Sequence, residues 1–460
     1  MRVVAALSFG ALVFLFIRHK EKYKLLINPI FWLLASWGFC LLLYLFSGIE
    51  YKYGLDIDAA FYVVGFLGLF TLGYYGGVLK FFLKLVARKN LRKYTQQKTN
   101  ETKMELPGEN YKKIKMVPLS IISIVSAILY ATHVLLENNI AFGSTRNLEL
   151  NWIDTFLLVL SCSSLVVWLY ELAYSILTNK RLKIHAIMSA VAFNIPGLLA
   201  SGRDALIIFG ISTVIVSVYC GKLYRRNKNE KSKTYGTVKK YGLCFLVLGL
   251  AYLIFLAGAR YHEGSVSSIE LFSERGYCTF PPYLVWMFEN LGGVGKMIVN
   301  FVFYYSSQFS KFNLVFANYA GPYMMGLYEF HYVSRLLPSD WGMSYTEVSK
   351  ELARMLSNIG AGGIRSSWGT VLEYLIYDFS RIGGLVISYV AGRLVGIVTR
   401  FSEGKSDPMY VVVRAMLCVG CYITVAFSPV FDYFFIFPVA WLGIILIGRK
   451  IIYKRSKKCD

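Results

Sequence analysis

Charge is what this sequence has least of. Only 17% of its 460 residues are Asp, Glu, Lys or Arg, where a soluble domain carries about 25%. That shortage argues against a soluble globular chain. Acidic residues are the scarcer sign, 27 against 49 Lys and Arg. The eight cysteines form no disulfide framework, since most fall in apolar runs or beside basic clusters. Cys418 and Cys421 stand three apart, but inside an apolar run with no His or acidic partner nearby. That argues against a zinc site. The N-terminus lacks a small-residue cleavage site, so its first apolar run is expected to be retained.

What is abundant is hydrophobic sequence, 56% of the chain. It comes in repeated blocks of roughly 17–25 residues, the length that crosses a bilayer as a helix. The expected fold is therefore all-α and polytopic, with eleven membrane helices. They are placed at Val3–Ile17, Pro29–Phe46, Ala59–Val78, Met116–Ala131, Trp152–Ser175 and His185–Ala200. The others are Ala205–Gly221, Tyr241–Ala259, Ile382–Val398, Met409–Phe427 and Phe434–Ile447. Residues 1–259 hold the first eight, 260–369 form one large loop segment, partly helical and lid-like, and 370–460 hold the last three and a basic tail.

A net charge of +22 would point to nucleic acid in a soluble protein. Here most Lys and Arg cluster in the connectors between apolar blocks, as in cytoplasmic loops. Nucleic acid is set aside, and the bilayer is the first expected partner. The clusters at 18–24, 80–115, 180–183, 222–240 and 449–460 fix the expected orientation. The N-terminus is outside, the C-terminus cytoplasmic, and 260–369 outside.

Arginine dominates the cations expected on that outer side: Arg146, Arg203, Arg260, Arg275, Arg335, Arg354 and Arg365. A guanidinium grips phosphate oxygens bidentately, and outer-face cations are disfavoured unless they have a use. Each could also pair with a carboxylate such as Glu263, Glu274 or Asp340. Arg203 stands in a short turn, Ser201-Gly-Arg-Asp204, at the hydrocarbon edge, where a charge points to function; it could also be an anchor snorkelling to the surface. Ser344-Tyr-Thr-Glu347 has capping-box spacing, and Val348, Leu352, Met355 and Leu356 mark one face of the helix it would open. Gly360-Ala-Gly-Gly363 beside Arg365 reads as a hinge or a plain connector. The segment has no His-Glu-x-x-His or Asp-x-Asp pattern, so no metal ligands and no cofactor are expected. His331 is the first choice for a general base, Glu263 the second, with Glu274 and Asp378 as further carboxylates.

Three stretches resemble a known family, the bacterial O-antigen and oligosaccharide repeat-unit polymerases of the Wzy type. Ser201-Gly-Arg-Asp-Ala-Leu-Ile-Ile-Phe209 is similar to its small-small-Arg turn opening an apolar helix. Leu256-Ala-Gly-Ala-Arg-Tyr261 is similar to the Arg-Tyr that ends a span and opens the large loop. Ser367-Trp-Gly-Thr370 through Tyr377-Asp-Phe379 and Gly383-Gly384 resembles its segment re-entering the membrane, Tyr-Asp-Phe-Gly, with Ser380 in place of that Gly. The likeness covers roughly residues 196–396. It implies a GT-C-like, metal-independent glycosyltransferase of the inner membrane. The donor it implies is a glycan on undecaprenyl pyrophosphate; a chain-length regulator is a candidate protein partner. Arg203, Arg260 and Arg365 would stabilise the diphosphate leaving group, with Arg275 and Arg335 as supports. The alternatives are an O-antigen ligase and a lipid-linked oligosaccharide flippase.

Overall fold

The computed structural model describes residues 10, 22–76, 114–138, 152–199, 204–228, 232–237, 269–321, 323–326, 328–330, 345–358, 369–403, 407–430 and 432–459. A 3-10 turn, Lys22–Ile27, precedes thirteen described helices. In chain order these are α1 Pro29–Phe46, α2 Ile57–Tyr75, α3 Val117–Asn138, α4 Trp152–Thr178, α5 Ile184–Leu199, α6 Asp204–Lys228 and α7 Ile269–Gly276. They continue with α8 Pro282–Asn290, α9 Gly292–Asn318, α10 Tyr345–Asn358, α11 Val371–Ser402, α12 Pro408–Ile423 and α13 Tyr433–Cys459. One antiparallel bridge joins β1, Glu50–Tyr51, to β2, Cys278–Thr279.

This is an all-α membrane protein. Seven described helices (α1, α2, α3, α4, α6, α11 and α13) are long and apolar enough to cross a bilayer, while α5 and α12 are shorter apolar helices. α1 coincides with the expected span, because Pro29 sits in its first turn and the Asn28 side chain caps Ile30 N–H at 3.1 Å. The expected spans Val3–Ile17 and Tyr241–Ala259 lie outside the described residues, apart from residue 10.

The chain divides into two compact units. The first comprises Met1–Glu101, Leu253–Phe401 and Gly420–Phe431. Its spine is α1, α2 and α9. Trp37, fully buried in α1, packs on Phe66 of α2 at 5.7 Å and Phe309 of α9 at 6.0 Å. α9 falls in the segment expected to be one large, partly helical outer loop; it is 27 residues long and packs along two apolar helices. The bridge Tyr51↔Cys278 ties the α1–α2 connector to that segment. A small core of Ile49, Phe272, Phe280, Leu284, Phe288 and Val299 lies beneath it. The connector and the segment, expected on one side of the membrane, are thus held together.

α2 also meets the second half of α11 at glycines. A Cβ on Gly392 would lie 2.1 Å from the Phe70 carbonyl oxygen, and one on Gly396 would lie 2.2 Å from that of Tyr74. The Gly-x-x-x-Gly spacing lets two backbones touch, a common device where lipid removes the hydrophobic drive for helix pairing. Ser388 Oγ donates to the Phe66 carbonyl at 2.9 Å across the same seam.

The second unit comprises Thr102–Tyr252, Ser402–Val419 and Asp432–Asp460. α4 is its central helix and is packed by α3, α5, α6 and α13. Polar pairs stitch it: His133 with Asp154 at 2.7 Å, Ser120 with Ser189 at 2.8 Å, and Arg414 over the Tyr219 ring at 5.2 Å. Burial, together with nearby Asp204, holds the Asp432 carboxyl well above the usual carboxylate range.

Candidate functional site

The first unit contains a broken helix. α11 keeps its ladder through Phe379, then Ser380 takes φ 67° and ψ 176°. That region of backbone space is essentially reserved for glycine, and another residue held there costs on the order of 1–3 kcal/mol. The expected motif has Gly at this position, so the serine adopts the conformation a glycine would serve. It also gives something glycine cannot: Ser380 Oγ accepts from Gly383 N–H at 3.4 Å, capping the second half, residues 381–402.

A break frees carbonyls at the end of the first half, residues 371–379, and they need donors. The loop after α9 supplies them. Met324 N–H donates to the Tyr377 carbonyl at 3.2 Å, and Met325 N–H to that of Asp378 at 2.9 Å. Met325 at φ 52° and Gly326 at φ 99° make the turn that aims these amides. The Asp378 carboxylate, fully buried, accepts from Tyr328 N–H and Glu329 N–H, each at 2.9 Å. Asp378, a carboxylate alternative for the base, is therefore engaged in holding this loop.

The loop also brings in Glu329. Its side chain is 5% exposed and accepts a hydrogen bond from Ser428. Burial pushes its carboxyl up to about 8, against the lowering effect of that hydrogen bond, and Asp378 adds to the rise. Glu329 is thus mostly a neutral acid near pH 7. Four tyrosine rings pack on one another here: Tyr377 lies 5.1 Å from Tyr319 and 4.9 Å from Tyr328, and Tyr328 lies 5.5 Å from Tyr374.

At its other end the first half begins inside the protein. Thr370 N–H donates to Glu373 Oε1 at 3.1 Å, one arm of a capping box, and Val371 N–H donates to the Thr424 carbonyl at 2.9 Å. Lys311 Nζ of α9 lies 3.7 Å from Glu373 Oε2, with the two side chains 7% and 1% exposed. Gly369 leaves the room, since a Cβ there would stand 2.3 Å from Oε2. Gln308 Oε1 and Ser310 Oγ, near Lys311 in the chain, and Thr370 Oγ1 and Tyr377 Oη, on either side of Glu373, are buried without hydrogen-bond partners. Buried polar atoms are normally satisfied, so this set forms a concentrated polar interior beside a helix break.

The residues expected to act are placed as follows. Arg203, Arg260, Glu263, His331, Arg335 and Arg365 lie outside the described residues. Arg275 lies on α7, but its side chain is outside them too. Arg354, by contrast, is exposed and pairs with Glu351 at 2.7 Å, one turn away, a solvated local contact worth little. Lys311, Glu373 and Glu329 escaped sequence reasoning. The available signal was a lone ionisable residue within an apolar or aromatic run, which at membrane depth points to function. Among the described residues, no three His, Cys, Asp or Glu side chains converge as a metal site. No protein-family model matches the chain, and neither a characterised protein nor a solved structure is similar to it.

Proposed function

We propose that the protein is a repeat-unit polymerase of the inner membrane. It would transfer a growing glycan from undecaprenyl pyrophosphate to a sugar hydroxyl of another lipid-linked unit, on the outer face. In this reading Arg203, Arg260 and Arg365 neutralise the diphosphate as it leaves, and Arg275 and Arg335 assist. His331, or Glu263 in its place, takes the acceptor proton. The eleven-span, GT-C-like architecture, with the N-terminus outside and the tail in the cytoplasm, belongs to the same proposal.

The observation that carries it is the break at Ser380. The stretch chosen for its likeness to a membrane re-entry segment, Tyr377-Asp-Phe-Ser380, departs from helical geometry at the position where that motif has Gly. The test is a strain deleted for this chain. Polymerase predicts single repeat units on the carrier, restored to a ladder by the gene. Full-length polymer accumulating on the carrier would replace this reading by a ligase.

One observation favours a second reading. A discontinuous helix carrying buried ionisable groups, here Glu373 paired with Lys311, is also how transporters build binding sites. Repeat units trapped on the inner leaflet of the deletion strain would favour a lipid-linked oligosaccharide flippase.

A further inference from the structure

The second half of α11 begins with a cation that the proposed mechanism leaves unused. Residues 381–402 span about 33 Å at 1.5 Å per residue, enough to cross a hydrocarbon core of about 30 Å. Ile382, Val386, Leu394 and Phe401 lie along it, 79%, 56%, 58% and 60% exposed, as a face turned to lipid. Arg381 is therefore at the membrane surface, one residue before that face starts. It is exposed, and among the described residues it forms no ion pair with a carboxylate.

Its guanidinium is nevertheless held. It lies 4.9 Å over the Phe316 ring, and Nη2 donates to the Ala317 carbonyl at 3.3 Å. A guanidinium has five N–H donors, so this anchoring leaves a fork to present. The first turn of a helix adds outward N–H groups and a partial positive charge. A second, independent feature points to the same spot. Tyr62 is 7% exposed and its hydroxyl has no hydrogen-bond partner. It is aimed at the first turn of this half-helix, 2.5 Å from where a Cβ on residue 384 would stand, and Gly384 leaves that space. The Tyr62 ring packs 5.3 Å from Phe316, the ring that carries Arg381.

We propose that Arg381, the Tyr62 hydroxyl and the start of this half-helix form a binding site for a membrane-borne phosphate. The guanidinium and the helix end meet the charge, and Tyr62 donates a hydrogen bond to a phosphate oxygen. Two sources share this chemistry, a polyprenyl diphosphate and a phospholipid headgroup. The site is additional to the arginines of the proposed mechanism and does not depend on the reaction catalysed.

The test uses the full chain in nanodiscs of uncharged lipid. Undecaprenyl pyrophosphate and phosphatidylglycerol are titrated separately, with bound lipid read by native mass spectrometry. Loss of a charged hydrogen bond predicts about 10- to 100-fold weaker binding for Arg381→Gln, and loss of a neutral one about 2- to 10-fold for Tyr62→Phe. Arg381→Lys should fall between Arg381→Gln and the parent. A loss confined to undecaprenyl pyrophosphate assigns the site to the carrier. A loss confined to phosphatidylglycerol assigns it to phospholipid headgroups, and a loss shared by both assigns it to lipid phosphate in general. Unchanged affinity of both lipids for Arg381→Gln and Tyr62→Phe overturns the site, even if the deletion strain still identifies a polymerase.

Discussion

Lys311 and Glu373 should be tied energetically far more than functionally neutral core residues would be. At 3.7 Å, two unit charges attract by roughly 4–5 kcal/mol at an effective dielectric constant near 20. Much of that offsets the cost of removing them from water, so the intact pair adds little net stability. Removing one partner is different, because the other charge stays buried, at a cost of about 3–5 kcal/mol. Lys311→Met and Glu373→Gln should each lower stability by that order. The double variant should return to within about 1–2 kcal/mol of the parent, because the amide introduced by Glu373→Gln keeps an oxygen that can accept from Thr370 N–H. The assay is a double-mutant cycle by reversible denaturant unfolding in mixed micelles. A coupling of at least about 4 kcal/mol follows, the two single losses less the loss of the double variant. Single variants that cost under about 1 kcal/mol, or a double variant that loses the sum of both, would refute the reasoning. Glycan length adds a second readout. If the pair serves only packing, the double variant restores polymer along with stability. If it serves the site, stability returns and polymer does not.

Three other predictions concern the same helix and its surroundings. Glu329 has its carboxyl raised to about 8. Its contribution to stability is therefore intact below the ordinary carboxylate range and is lost as pH rises towards about 8; thermal midpoints should fall over that window, and Glu329→Gln should flatten the slope. Gly392→Leu puts side-chain atoms where the Phe70 carbonyl lies, so α2 and α11 must separate, and a disulfide-trapping or melting assay should register a loss of several kcal/mol. Ser380→Gly relieves a positive φ but removes a cap, so it should change stability by under about 1 kcal/mol, whereas Ser380→Val should cost at least about 2 kcal/mol.

Much of this fold was legible because lipid-facing helices write themselves as apolar runs. α1 matches the expected span Pro29–Phe46 at both ends, and the span expected from Ile382 begins just past the break at Ser380. α10, Tyr345–Asn358, starts beside the expected capping box. What the sequence hid was α9. Lys296, Lys311 and several polar residues dilute its hydropathy, and it joins α1 and α2 through aromatic faces rather than through a uniform apolar surface. The polar interior was hidden for a different reason. Lys311 and Glu373 sit on separate helices, so their pairing depends on packing that no local pattern encodes. The conformation at Ser380 was visible in outline through the motif. That a serine would take a glycine's backbone and cap the next half was not.

The central claim is that outer-face guanidiniums hold a lipid diphosphate while its glycan is transferred. The most direct measurement is the glycan length distribution of a deletion strain carrying Arg203→Ala or Arg260→Ala, with membrane levels of the protein matched to the parent. Loss of one charge-stabilising donor costs about 10²–10³ in rate, so single repeat units should accumulate in both strains. Normal-length polymer from both variants would contradict the account.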